Sequence, residues 1–166
     1  MKKCVFAGTF DPPTTGHEGV VLDSLKIFDE VVVAVLENTD KSCYFSTEER
    51  IGLLKKLFDG QSRVRVISFS GAAVDLLRRE NTVFYVRGIR DGIDLDYENR
   101  NLYASLALMP DMVTIYLPAR QTQTHVSSTL VRNSIHFNKQ FKEYIPSKIA
   151  EDVIKLSEEK QCSKNS

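Results

Sequence analysis

Apolar residues along this chain switch repeatedly between the continuous runs of a buried strand and the spacing of a helix. That alternation constrains the fold more than any other feature. Cys4 to Ala7 is a short apolar run stopped by Gly8, and from His17 to Phe28 the period becomes helical, with Val21, Leu25 and Phe28 on one face. Val31 to Leu36 is an unbroken, largely β-branched run, as expected of a strand covered on both faces. Ser46-Thr47-Glu48-Glu49 is a capping box followed by Ile51, Leu54, Leu57 and Phe58 at helical spacing. Arg63 to Phe69 then reads as a strand, Ala72 to Glu80 as a helix, and Val83 to Val86 as a strand. Asp94 to Leu108 reads as a helix stopped near Pro110, and Met112 to Leu117 as a fifth strand. Beyond Ser127 the chain reads as helical to about Lys160, broken near Pro146.

Strand–helix alternation of this kind closes into a parallel sheet with helices on both faces, because each crossover must return to the same edge. The expected fold is an α/β, Rossmann-like, doubly wound five-stranded parallel sheet with a helical C-terminal segment. It fills one domain over residues 1–160, and the polar residues 161–166 form a fraying tail. Such sheets bind ligands beyond the carboxyl ends of their strands.

Lys+Arg and Asp+Glu balance at 22 each, so no global field draws the chain to nucleic acid or to an anionic membrane. No apolar run approaches the roughly 20 residues of a membrane span, and the apolar stretch after Lys2-Lys3 ends too soon for a signal peptide. Cys4, Cys43 and Cys162 form no CxxC pair, which points to reduced thiols in a cytoplasmic protein.

The segment after the first strand carries the strongest chemical signal: Gly8-Thr9-Phe10-Asp11-Pro12-Pro13-Thr14-Thr15-Gly16-His17. Gly8 and Gly16 allow close backbone approach, and Pro12-Pro13 stiffens the turn. Thr14 or Thr15 can cap a helix whose first turn holds His17, where free amides and the dipole favour an anion and an imidazole can donate to a phosphate oxygen. Lys41, after the second strand, can pin a phosphate, although a solitary lysine is much more commonly just a solvated one. After the fourth strand, Arg87 and Arg90 flank Gly88-Ile89, and two guanidinium forks suit phosphate oxygens. Glu98, in the next helix, can accept from a ribose or simply face water. Ser127-Ser128-Thr129 opens another helix, where one hydroxyl suffices for a cap and three favour a phosphate cradle.

The first string resembles the signature of the nucleotidyltransferase superfamily that carries HxGH or TxGH. With Arg87-Gly88-Ile89-Arg90, Tyr97-Glu98 and Ser127-Ser128-Thr129-Leu130-Val131, in that order, the chain resembles the bacterial phosphopantetheine adenylyltransferases from about Lys3 to Ile145. The resemblance implies transfer of AMP from ATP to 4′-phosphopantetheine, giving dephospho-coenzyme A and pyrophosphate in coenzyme A synthesis. It implies that His17, Lys41 and Arg90 stabilise the transition state. It places Thr9, Lys41, Ala73 and Arg87 on phosphopantetheine. It places Thr9, Phe10, His17, Gly88, Ile89, Arg90, Glu98 and the stretch Gln123, Thr124, His125, Val126, Ser127, Ser128 and Thr129 on ATP. It also implies magnesium and a homohexamer. Departures from the family pattern are Gln123 in place of an aromatic residue, Ala73 in place of a larger apolar one, and Ser105 at a position usually held by asparagine.

The residue inventory suits that chemistry. An acceptor phosphomonoester is largely ionised at neutral pH and needs no general base, so the requirement is to bring polyanions together and neutralise developing charge. The loops offer cations and helix N-termini, with no activated nucleophile and no carboxylate cluster for a metal, so magnesium would be held mainly by ATP and water. The nearest alternative is another small-molecule nucleotidyltransferase. Ser127 to Arg132 also resembles the ISSTxIR element of nicotinamide mononucleotide adenylyltransferases. A non-catalytic nucleotide-binding module is the alternative of a different class.

Overall fold

The structure is a computed structural model and describes residues 1–37, 42–120, 122 and 124–164. Five strands, β1 (Lys3–Gly8), β2 (Glu30–Leu36), β3 (Val64–Phe69), β4 (Phe84–Ile89) and β5 (Val113–Pro118), form one parallel sheet in the order β3-β2-β1-β4-β5. Helices α1 (Thr15–Ser24), α2 (Thr47–Leu57), α3 (Ala73–Arg79), α4 (Gly92–Leu108), α5 (Ser128–His136) and α6 (Ala150–Lys164) follow in turn. The order reverses between β1 and β4, which opens a crevice at their carboxyl ends.

Side chains alternate across each strand, so both sheet faces are built from the same short runs. Cys4, Phe6, Val31, Val33 and Val35 pack into one core with α1, α2, α5 and α6. Val5, Ala7, Val32 and Ala34 point the other way into a core with α3 and the chain before β5. The unbroken apolar character of β1 and β2 is the price of having no solvent-facing side.

Several boundaries differ from the sequence expectation. The first helix begins earlier, at Thr15, and ends at Ser24, so Phe28 reaches the core from the turn beyond it. The fourth strand does not stop at Val86. It keeps pairing with β5 through Arg87↔Tyr116, Gly88↔Leu117 and Ile89↔Pro118, so Arg87 and Gly88 are strand residues. The helical stretch expected after Ser127, with its one break near Pro146, is divided earlier into α5, a single 3-10 turn at Lys142–Tyr144, and α6. Asn138 takes a left-handed conformation (φ 51°) just past α5, and its amide bonds to the Ile135 carbonyl, which stops the helix well before Pro146. Residues 161–164, within the expected tail, continue α6. Among the described residues, no helix is long and apolar enough to cross a membrane.

Strand alternation decides what β4 presents. Tyr85 and Arg87 face α4, whereas Val86 and Gly88 face α1. A Cβ added to Gly88 would lie 2.8 Å from Cγ2 of Val20, so this glycine lets α1 lie close on the sheet. Gly88→Ala should destabilise the fold by about 1–3 kcal/mol. Trimming the neighbour in the Gly88→Ala/Val20→Ala double variant should recover part of that loss. Urea denaturation of the three proteins measures both.

Candidate active site

The chain leaving β1 makes a tight excursion before α1. Phe10 adopts a left-handed backbone (φ 52°), and its ring turns back into the core, edge-on to Phe6 at 5.3 Å and to His17 at 5.0 Å. Gly8 has the room this requires, since a Cβ there would meet the Phe10 ring at 3.2 Å. Asp11 follows, almost fully buried, and its two carboxylate oxygens accept the Phe45 and Tyr44 amides, each at 2.8 Å. Arg50, on the buried face of α2, donates to the Thr9 carbonyl at 2.7 Å, and Arg132 of α5 donates to the Asp11 carbonyl at 2.6 Å. The loop is therefore held by neighbours on two helices.

Thr14 is the N-cap of α1, and His17 is the third residue of that helix. The Thr14 amide donates to Nδ1 of His17 at 3.0 Å. An amide is an obligate donor, so Nδ1 must be the acceptor and the ring proton sits on Nε2. Burial pushes the imidazole down from 6.5 to about 4, and the positive charges of Arg90 and Arg87 push in the same direction. His17 is therefore a neutral hydrogen-bond donor at physiological pH, held in one tautomer by its own helix cap.

Two cavities open over the carboxyl ends of β1 and β4. The first, of about 310 Å³, is lined by Thr9, Phe10, His17, Gly88, Arg90 and Glu98, and on its far wall by Val126, Ser127, Ser128 and Thr129. The second, of about 670 Å³, runs between α3, α4 and the strand ends, and is lined among others by Ala73, Tyr85, Asn101, Leu102 and Ser105. Gly8, Thr9, Arg87 and Glu98 line both, so the cavities adjoin along these residues.

The structure thus brings together most of the residues that the sequence singled out. Thr124 and His125 do not line either cavity, and His125 instead meets Tyr144 edge-on at 5.7 Å. Ile89 also lines neither. Lys41 and Gln123 lie outside the described residues. Gly88 borders the first cavity, yet the close approach that bars a side chain there is to Val20. The hydroxyl trio divides its work. Ser127 caps α5 by accepting the Leu130 amide, Ser128 donates to the Pro12 carbonyl, and Thr129 accepts from Arg132. What the helix start then offers an anion is its first backbone amides, which no intrahelical carbonyl can reach.

Both basic residues of β4 and its exit are paired. Arg87 forms a forked pair with Glu98, and Arg90 forms another with Asp94 at 2.7 and 2.9 Å. Hydrogen bonds from the Arg90 side chain and amide, with the positive charges of Arg90 and Arg87, hold the Asp94 carboxyl below the usual range. Sequence reasoning assigned no role to Asp11, Arg50, Asp94 or Arg132, although each left a signal. Arg50 falls on the apolar stripe with Leu53, Leu54 and Leu57, Asp94 stands one helical turn from Arg90, and Arg132 ends the element that begins at Ser127.

Comparison with known proteins accords with this geometry. Residues 5–134 match the family model described as cytidylyltransferase-like. A phosphopantetheine adenylyltransferase of Christiangramia forsetii is 35% identical over 146 residues, covering 88% of this chain and 96% of that protein. One from Nautilia profundicola is 35% identical over 151 residues, covering 91% and 98%. In fold, the chain is similar to a candidate nicotinate-nucleotide adenylyltransferase from Vibrio parahaemolyticus, with a TM-score of 0.68 at 22% identity, over 93% of this chain and 99% of that one. At that identity the likeness speaks for the fold alone. The extent and identity of the sequence matches place this chain in the cytidylyltransferase-like family and, within it, among the phosphopantetheine adenylyltransferases, which are nucleotidyltransferases.

Proposed function

We propose that the enzyme transfers AMP from ATP to 4′-phosphopantetheine, releasing pyrophosphate and dephospho-coenzyme A, with ATP in the first cavity and the acceptor in the second. The observation that carries this assignment of the cavities is their meeting along Thr9, Arg87 and Glu98, at the point where strand order reverses. Two phosphorylated ligands placed there abut at their phosphates, as an in-line displacement requires. The acceptor's phosphate oxygen attacks the α-phosphorus of ATP, and the bond to the pyrophosphate oxygen breaks. No proton has to be removed from the attacking group, so no side chain has to act as a base.

The work of the chain is charge stabilisation. His17 donates from Nε2 to an α-phosphate oxygen, and because it is neutral it contributes a hydrogen bond that tightens as charge develops. Arg90 and the N-termini of α1 and α5 favour the remaining phosphate charge, and Lys41 is assigned to the same task from its sequence position. Arg87 is the candidate group for the acceptor phosphate, with Thr9 beside it and Ala73 along the wall where the pantetheine arm lies.

Magnesium fits this site as an ion carried by the triphosphate. The carboxylates lining the first cavity are all engaged: Asp11 by two amides, Asp94 by Arg90 and Glu98 by Arg87. Among the described residues, no three His, Cys, Asp or Glu side chains cluster as ligands. When bound, the ion would supply charge neutralisation across the phosphates. A cytoplasmic location and, from the family resemblance, a homohexamer accompany this assignment; exposed Ile93, Tyr97, Tyr103 and Leu108 along α4 support association between copies.

Pyrophosphate release with ATP and 4′-phosphopantetheine should exceed that with nicotinamide mononucleotide as acceptor, or with CTP as donor. Turnover confined to the nicotinamide acceptor would replace the substrate assignment, and no turnover with any pair would favour a binding module. His17→Ala should lower kcat by about 10²–10³-fold while changing KM by less than about fivefold. An unchanged kcat would leave His17 a purely structural residue.

The same histidine sets a pH dependence of stability. Its folded pKa lies below its unfolded one, so its contribution is complete above about 6.5 and is lost as pH falls toward about 4. The stability advantage of the wild type over His17→Asn should therefore shrink by about 1–3 kcal/mol across that window. Thermal or urea unfolding at stepped pH measures it, and a constant difference would contradict the buried neutral imidazole.

A further inference from the structure

The pair Arg87–Glu98 is the one ion pair among the described residues whose two members each line both cavities. It is also largely out of water, with side-chain exposures of 23% and 12%. The guanidinium is heavily committed. Nε donates to one Glu98 oxygen at 2.8 Å, Nη2 to the other, and Nη1 to the Ala7 carbonyl at 2.6 Å and to the Tyr85 hydroxyl at 3.3 Å. A carboxylate gripped by a guanidinium fork presents two oxygens where a phosphate would present two of its own. Glu98 therefore occupies the position on Arg87 that the acceptor phosphate would require. The Arg90–Asp94 pair differs, because it is more exposed and borders the first cavity only.

We propose that Glu98 is a positioning residue that couples the two substrate sites by exchanging partners: it leaves Arg87 for ATP, and Arg87 is thereby freed for the acceptor phosphate. This rests on the substrate pair proposed above. A carboxylate released from Arg87 into the first cavity is an acceptor in search of donors, and the ribose hydroxyls of ATP supply them. The acceptor phosphate, arriving alone, would have to expel a carboxylate of its own charge sign from a poorly hydrated fork. Arriving after ATP, it meets an arginine already vacated. By linkage the effect is mutual, so a bound acceptor phosphate releases Glu98 for ATP to the same degree. Because the competition is for the fork, it acts on the phosphate of the acceptor and leaves the pantetheine arm untouched.

Calorimetric titration of the full chain separates these statements. 4′-Phosphopantetheine and unphosphorylated pantetheine are each titrated with and without saturating α,β-methylene-ATP and magnesium. In the wild type the ATP analogue should tighten phosphopantetheine by at least about fivefold and alter pantetheine by less than about twofold. In Glu98→Gln, phosphopantetheine should bind more tightly than to the wild type when no nucleotide is present, and the analogue should then add less than about twofold. Absent coupling in the wild type, equal coupling for both acceptors, or undiminished coupling in Glu98→Gln would each overturn the exchange. Pyrophosphate release, assayed on the same protein preparations with ATP in place of its analogue, tells the two failures apart. Turnover with uncoupled affinities would overturn the exchange alone, whereas neither binding nor turnover would overturn the substrate assignment as well.

Discussion

The mouth of this enzyme depends on one buried carboxylate. Asp11 sits in the loop between β1 and α1, and a charge so deeply enclosed is tolerable only if its oxygens are satisfied. They are satisfied by the amides of Tyr44 and Phe45, from the segment that leads into α2, while the loop's own carbonyls are taken by Arg50 and Arg132. Three stretches of chain, distant in sequence, are thereby fixed to one another around the first cavity. Arg132 extends the arrangement into α5, where Ser128 reaches back to the Pro12 carbonyl, so the helix start that lines the first cavity is docked on the same loop. Losing any partner would leave the others with unpaired polar groups in a dry place, which makes the cluster cooperative.

On that scaffold, the chemistry follows from where protons and charges are held. His17 caps its own helix through Nδ1, which leaves Nε2 as the donor, and burial reinforced by the nearby arginines keeps the ring neutral. A neutral donor is suited to a reaction whose nucleophile arrives ionised. The arginines are not bare charges either, since each is held by a carboxylate of α4.

Much of this was legible in the residues. The alternation of apolar period gave five parallel strands and the helices between them, because burial on both faces leaves an unmistakable β-branched run such as Val31 to Leu36. Gly16-His17 reads as the opening of a helix capped by Thr14 or Thr15, and the structure begins that helix at Thr15 with Thr14 as the cap. The end of β4 was not legible. Arg87 and Gly88 look like loop residues, and only pairing with β5 and the space required by Val20 make them strand residues. The end of the helical C-terminal segment was obscured in the same way, since Asn138 stops α5 by a backbone conformation that leaves no apolar signature. Within the site, Arg87 and Glu98 each read as candidate ligands, for phosphate and for ribose. That they hold each other was not, because Arg87 faces α4 only by virtue of strand alternation.

The central claim is that the acceptor phosphate attacks ATP directly, with the chain supplying charge stabilisation and no nucleophile of its own. The most direct test is the stereochemical course at the α-phosphorus, followed with ATP made chiral by sulfur at that position and with 4′-phosphopantetheine as acceptor. A single in-line displacement predicts inversion of configuration in the product. Retention would mean two successive displacements through an adenylylated side chain, and would contradict the account.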